Sequence, residues 1–341
     1  MNKWHNKWEI CRTGMLAGLL LCAGIGTAYA DHVIVDTDYV LKNKDRPGVV
    51  LVDARAASDY KKGMIPGAVV LGEKDARAGL RDVSGRILPV KDLEKILGDA
   101  GITRENEIIA YGTKADTAPD LIFWILEYLG AEKAKVYHGG YDDWTAAKSP
   151  ITNEARKLPA AKFTAKVRPE VMATTDFVKK SLKNKEIQFI DSRTAKEHSG
   201  DDIRSVRGGH IAAVNQSSIP YESAWKDPEA LTKLAEKKVD NRDGAALKDM
   251  AALKELYKGV DPKKEVVAYC QTGIRSTQTY AVLREMGYQK VRNYDDSWII
   301  YGANPDLPVN NETYFDFVKV NTALRTLDAL EKRLTALEPK K

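Results

Sequence analysis

The chain has 341 residues, 43% hydrophobic and 30% charged, an ordinary globular composition that excludes collagenous, low-complexity and wholly disordered proteins. Lys and Arg number 53 against 48 Asp and Glu, a net +5 of which the first thirty residues hold +2. The dispersed remainder argues against a nucleic-acid partner and is compatible with a small anionic substrate. The length predicts two domains, each able to bury a core.

Residues 1–30 read as a secretory signal. Lys3, Lys7 and Arg12 precede an apolar run over residues 15–25, and Ala28, Tyr29 and Ala30 form a small-x-small cleavage site. A run of about 11 residues is far short of the roughly 20 that span a bilayer, so cleavage after Ala30, no stable membrane insertion afterwards and a periplasmic or secreted protein are expected. Cleavage removes Cys11 and Cys22 and leaves Cys270 as a lone thiol in an oxidising compartment. A thiol kept there must be buried or used.

The remaining chain repeats itself. Residues 101–112, GITRENEIIAYG, align without gaps on residues 259–270, GVDPKKEVVAYC; four positions are identical and three more exchange Ile for Val. An apolar segment ending in Asp53-Ala-Arg55 answers one ending in Asp191-Ser-Arg193, Gly63-Met-Ile65 answers Gly209-His-Ile211, and Trp144 answers Trp298. A unit of this size is a duplicated domain, not a solenoid. Residues 108–111 and 266–269 are continuous apolar runs, as expected of central strands buried on both faces. Residues 121–129 and 277–286 read as the helices that follow, closed by Gly130 and Gly287. Strand–helix alternation implies right-handed crossovers and a parallel sheet, so the fold class is α/β.

Residues 151–169, rich in Ala, Lys and Pro, read as a linker between a first domain at 31–150 and a second at 170–309. Residues 221–249 form a charged insertion expected to make surface helices. After Pro308 the sheet pattern ends. In the tail, 310–341, Val320, Leu324, Leu327, Leu330, Leu334 and Leu337 make one apolar stripe. Docking on the chain's own domain or pairing in a homodimer would each satisfy that stripe.

Sites in open parallel sheets form beyond the carboxyl ends of the strands, where Cys270 lies. Gln271, Thr272, Gly273, Ile274, Arg275 and Ser276 then lead into a helix. Such a loop can aim successive amides at one point and, with the helix N-terminus, favour negative charge and depress a thiol pKa. A thiolate nucleophile in an anion cradle follows, with Gly273 allowing a left-handed turn and Arg275 offering a fork of donors. A buried structural cysteine is the plainer reading, and the strand–loop–helix junction argues against it.

These motifs, together with the segment Tyr294-Asp-Asp-Ser-Trp298 and Asn304-Pro-Asp-Leu-Pro308, resemble the tandem rhodanese family of sulfurtransferases over about residues 33–309. The resemblance implies two tandem rhodanese-like domains, each a parallel sheet flanked by helices, followed here by a C-terminal helix. The first would be catalytically silent, with Gly112 at the cysteine position and Thr117 at that of Arg275. It also implies a thiosulfate:cyanide type of sulfurtransferase that needs no cofactor. Cys270 would take the outer sulfur of a small anionic donor as a persulfide and yield it to a thiol, cyanide or a protein. Arg275 would bind the donor's sulfonate-like end, and Asp191 and Arg193 would support the loop. The chain departs from members with cationic residues right after the cysteine, having Gln271 and Thr272 there.

Other readings remain open. A persulfide carrier or binding protein for an exported partner needs the same thiol. Cysteine phosphatases and arsenate reductases on this fold use Cys-x5-Arg, whereas Cys270 and Arg275 are spaced Cys-x4-Arg, a ring better suited to one sulfur than to a tetrahedral oxyanion. A Cys/His hydrolase would need His198 or His210 as base. No Cys or His spacing suggests a metal.

Overall fold

The computed structural model describes residues 32–337, so the signal expected at 1–30 lies outside the described residues. The first domain is a five-stranded parallel sheet of β1 (Ile34–Val35), β2 (Val49–Asp53), β3 (Ala68–Val70), β4 (Glu107–Tyr111) and β5 (Ala134–Tyr137), in the order β1-β5-β4-β2-β3. The second repeats it with β6 (Met172–Ala173), β7 (Ile187–Asp191), β9 (Gln216–Ser218), β10 (Glu265–Tyr269) and β11 (Val291–Tyr294), in the order β6-β11-β10-β7-β9. The two matched apolar runs are the central strands β4 and β10. All but the first residue of each is buried, because helices cover both faces.

Helices Ala118–Tyr128 and Arg275–Glu285 follow β4 and β10, each beginning two or three residues earlier than the apolar pattern suggests. Gly130 and Gly287 sit at φ +81° and +91°, the left-handed conformation that ends a helix most cheaply in glycine. The two helices meet across the domain boundary. One hydrophobic cluster runs through both, including Leu121, Ile122, Leu126, Tyr280 and Leu283. Glu127 anchors it, accepting from the Tyr280 hydroxyl and from Arg284 Nε at 3.2 Å.

Three segments differ from expectation. The linker is strapped to the first domain: Ala161 N donates to Gly98 O at 2.8 Å, Lys166 N to Leu129 O at 2.9 Å, and Phe163 is buried. The insertion holds a helix, Ala230–Ala235, but also buries Trp225, whose Nε1 donates to Gln278 Oε1 at 3.1 Å on the second domain's helix. Beyond Pro308 the chain makes one more strand, β12 (Val309–Tyr314), antiparallel to β8 (Arg207–Ile211). Its residues 310–313, Asn-Asn-Glu-Thr, have no apolar alternation to betray it. Gly209, His210 and Ile211 lie in β8.

The last helix, Phe317–Leu337, leaves Leu324, Leu327, Leu330 and Leu334 exposed, so its stripe is not docked on the body. Among the described residues no helix is long and apolar enough to cross a membrane. Leu283→Ala is expected to cost about 2–5 kcal/mol in denaturant unfolding. Leu327→Ala at dilute concentration should change the same curve by no more than about 0.5 kcal/mol.

Candidate active site

Cys270 immediately follows β10, and the helix begins at Arg275, so residues 270–274 form the loop. What shapes this loop is where its carbonyls go. Cys270 O and Gln271 O accept from Trp298 N and Ile299 N at 3.0 and 2.9 Å. Thr272 O accepts from Arg81 Nη2, and Gly273 O from Asn293 Nδ2 at 3.0 Å. Ile274 O accepts from Thr277 N at 3.0 Å and Thr277 Oγ1 at 2.7 Å. In a trans peptide the N–H of the next residue points opposite the carbonyl. The outward bond of Gln271 O therefore turns the Thr272 amide inward to the sulfur, which the Ser276 amide in the first turn of the helix also reaches.

Gly273 takes φ +77°, and a Cβ there would lie 2.6 Å from the Asp295 carbonyl, so only glycine fits. Cys270 N donates to Ser297 Oγ at 3.1 Å, and Ser297 Oγ to Tyr294 O at 2.7 Å. Ser297 holds φ +49°, a conformation uncommon outside glycine, in a place where its hydroxyl ties two strand ends together.

Cys270 is 0% exposed. Burial alone would push its thiol pKa up, but the charge of Arg275, the Ser276 amide and hydroxyl and the Thr272 amide outweigh it, so the thiol sits below its ordinary value. Ser276 Oγ lies 3.6 Å from the sulfur and 2.6 Å from Asn293 Oδ1. Gln271 points away, its Nε2 donating to Arg204 O at 2.6 Å.

Arg275 is not a free fork. Its Nη1 and Nη2 donate to Glu197 at 2.8 and 2.7 Å, and its guanidinium lies over the Tyr221 ring at 5.8 Å. What it brings to the sulfur is fixed positive charge. Glu197 is itself placed by a capping box with Thr194, a Thr-x-x-Glu signature readable in the sequence. Arg81, Asn293, Ser297 and Glu197 are site residues that sequence reasoning missed. Only Ser297 stands within a motif already singled out.

Asp191 and Arg193 form a buried bidentate pair at 2.9 and 2.6 Å, with Arg193 Nη2 also donating to Gly209 O at 2.7 Å. The first domain builds the same clamp: Arg55 donates to Asp53 at 2.9 and 2.6 Å and to Gly63 O at 2.8 Å. Since it recurs beside a loop with no thiol, the clamp belongs to the fold. It reaches the loop through Tyr269, whose hydroxyl donates to Asp191 Oδ2 at 3.0 Å one residue before Cys270. His198 Nδ1 is 2.9 Å from Asp191 Oδ2, His210 Nδ1 is 2.9 Å from His198 O, and the two rings stack at 3.7 Å. Their partners do not include the thiol.

In the first domain a Cβ on Gly112 would lie 2.8 Å from Asp116 Oδ2. The half-buried Asp116 carboxylate lies against that position, accepting from Ala118 N at 2.9 Å and pairing with Arg77 at 3.3 Å. Burial raises its pKa, partly offset by the charge of Arg77. Among the described residues no three His, Cys, Asp or Glu side chains converge on a metal site.

The family profile described as Rhodanese-like domain matches residues 36–147 and again 174–299. A thiosulfate sulfurtransferase of Azotobacter vinelandii is 29% identical over 265 residues, covering 77% of this chain and 91% of that protein. One of Pseudomonas aeruginosa is 28% identical over 267 residues, with the same two coverages of 77% and 91%. An anaerobic ergothioneine biosynthesis enzyme of Chlorobium limicola, solved with trimethyl histidine, shares the fold, with TM-score 0.67 at 21% identity over 82% of this chain and 70% of that one.

The pH dependence of iodoacetamide alkylation should place the Cys270 midpoint below about 8.5, and Ser276→Ala should raise it by up to about one unit. Gly112→Ala, which drives a methyl into the Asp116 carboxylate, should cost about 1–3 kcal/mol in denaturant unfolding.

Proposed function

Because the chain belongs to the rhodanese family and carries its domain twice, we propose that it is a sulfurtransferase, moving a sulfane sulfur from thiosulfate or a related donor to a thiophilic acceptor through a persulfide on Cys270. The observation that carries this reading is the loop whose carbonyls are all engaged outward around one buried, acidified thiol. The Cys270 thiolate attacks the outer sulfur of thiosulfate, the donor's S–S bond breaks, and sulfite leaves with the bonding pair. The persulfide anion then sits where the thiolate sat, stabilised by the same amides and the same Arg275 charge. An acceptor such as cyanide attacks the terminal sulfur and departs as thiocyanate, returning the thiolate. No proton need move in either step, which fits a site whose histidines are bound elsewhere.

The Cys-x4-Arg spacing of Cys270 and Arg275 speaks against phosphatase or arsenate reductase chemistry. Those reactions use a loop one residue longer, Cys-x5-Arg, to grip a tetrahedral oxyanion, and here two of the five guanidinium N–H donors are already spent on Glu197. Thr272, Ile274 and Arg275 are the loop residues that remain partly accessible, so a donor would enter past them. Export with cleavage after Ala30 is part of the same proposal, resting on the tripartite signal in the sequence.

Intact mass of the purified protein tests the cycle. Thiosulfate should add roughly 32 Da, cyanide should remove it, and Cys270→Ser should neither gain the mass nor retain more than about a thousandth of the turnover. A gain with mercaptopyruvate but not thiosulfate would change the donor and keep the chemistry. A mass gain without multiple turnovers to any acceptor would favour a carrier. No gain with any sulfane donor would overturn the reading.

A further inference from the structure

The turn 81–87 of the first domain reaches across to the second at three points. Arg81 Nη2 donates to Thr272 O, Ile87 N donates to Asp295 Oδ2 at 3.0 Å, and Arg86 pairs with Asp296. The turn is built to hold that shape. Asp82 Oδ1 accepts from Ser84 N at 2.8 Å and from Arg86 N at 3.2 Å, Gly85 takes φ +84°, and Arg81 bridges Ile87. Of the donors that hold the loop carbonyls, Arg81 alone comes from the other domain.

Arg81 is also unusual energetically. Its side chain is 5% exposed, its Nε has no hydrogen-bond partner, and the nearest carboxylate oxygen, Asp295 Oδ1, is 3.9 Å away and likewise unpartnered. A guanidinium so buried and so poorly paired is a poor investment for stability alone. Burial favours its neutral form, and the charges of Asp295 and Cys270 oppose that. Asp295 is pushed up to about 6, first by burial, against the Ile87 amide and Arg81. The anion that can complete the compensation of Arg81 is the one the loop holds.

We infer that Arg81 is a positioning residue for the catalytic loop: by gripping the Thr272 carbonyl it fixes the peptide whose opposite edge carries the Gly273 N–H, and it sets a buried positive charge beside the loop that holds the sulfur anion. The first domain then does more than wall the site. It supplies one of the contacts that give the cradle its shape, and the cradle is complete only when the two domains are docked. This rests on the sulfurtransferase reading for its purpose but not for its test, since thiol ionisation can be measured with no sulfur donor present.

The test compares wild type with Arg81→Met, Arg81→Lys and Asp295→Asn in two readouts, the pH midpoint of Cys270 alkylation and the thermal midpoint of unfolding. Arg81→Met should raise the alkylation midpoint by about one pH unit, and Arg81→Lys, which keeps charge and one donor, should recover at least half of that shift. Asp295→Asn removes the opposing charge and should move the midpoint the other way. If sulfur transfer is confirmed, kcat for Arg81→Met should fall about 10–100-fold with KM changed less. An alkylation midpoint for Arg81→Met within about 0.2 unit of wild type would overturn the inference, whatever happened to the melting temperature. So would shifts of the same sign in Arg81→Met and Asp295→Asn. No sulfur uptake by the wild type from any sulfane donor, with all alkylation shifts as expected, would overturn the activity and leave Arg81 in its place.

Discussion

The structure depends on the direction of a handful of peptide planes. A buried sulfur anion has no water to solvate it, and one cationic side chain is a poor substitute for a shell of donors. Backbone amides can supply that shell only if something else takes the carbonyls attached to them. Trp298, Ile299, Asn293, Thr277 and Arg81 take them. Those residues come from the helix after β11, the strand β11, the first turn of the following helix and the other domain. The loop therefore has its shape by virtue of everything packed around it, and its own five residues contribute chiefly the absence of a side chain at Gly273.

Duplication separates what the fold requires from what the chemistry requires. Both domains retain the central strand, the Asp-x-Arg clamp, the tyrosine at the strand end and the helix that follows. Tyr111 reports to Asp53 at 2.6 Å as Tyr269 does to Asp191 at 3.0 Å. These parts align a strand end with a loop regardless of what the loop does. The thiol, Arg275 and its Glu197 partner belong to the second copy alone. Joining the copies through helices Ala118–Tyr128 and Arg275–Glu285 places the first domain's turn 81–87 against the second domain's loop. A structural repeat thus acquired a local task.

Much of this was legible in the residues. Central strands announce themselves as continuous apolar runs, the repeat is visible in twelve aligned positions, and a lone cysteine at a strand–loop–helix junction marks the site. The partners of that loop were less so. Asn293 and Ser297 lie more than twenty residues from Cys270, and Arg81 lies 191 residues from Thr272, so no periodicity connects them. The pairing of Arg275 with Glu197 was equally hidden, because the buried carboxylate that takes one bond from each terminal nitrogen lies 78 residues upstream. The strand β12 escaped for another reason. At a polar edge ribbon, register comes from backbone pairing and a bulge between Asn310 and Thr313, neither of which leaves an alternating pattern.

The carboxylate of Asp116 gives the two copies different thermodynamic characters. In the first domain the carboxyl group beside the loop is tethered four residues from its start, so its presence there is intramolecular and needs no ligand from solution. In the second domain the loop is built around a thiol whose charge changes with protonation, and a charge state that the native loop favours over the unfolded chain adds to stability. One molecule therefore holds two versions of the same loop, one closed by its own carboxyl group and one built around a thiol. Because a single core runs through both halves, the charge state of Cys270 is linked to the stability of the whole.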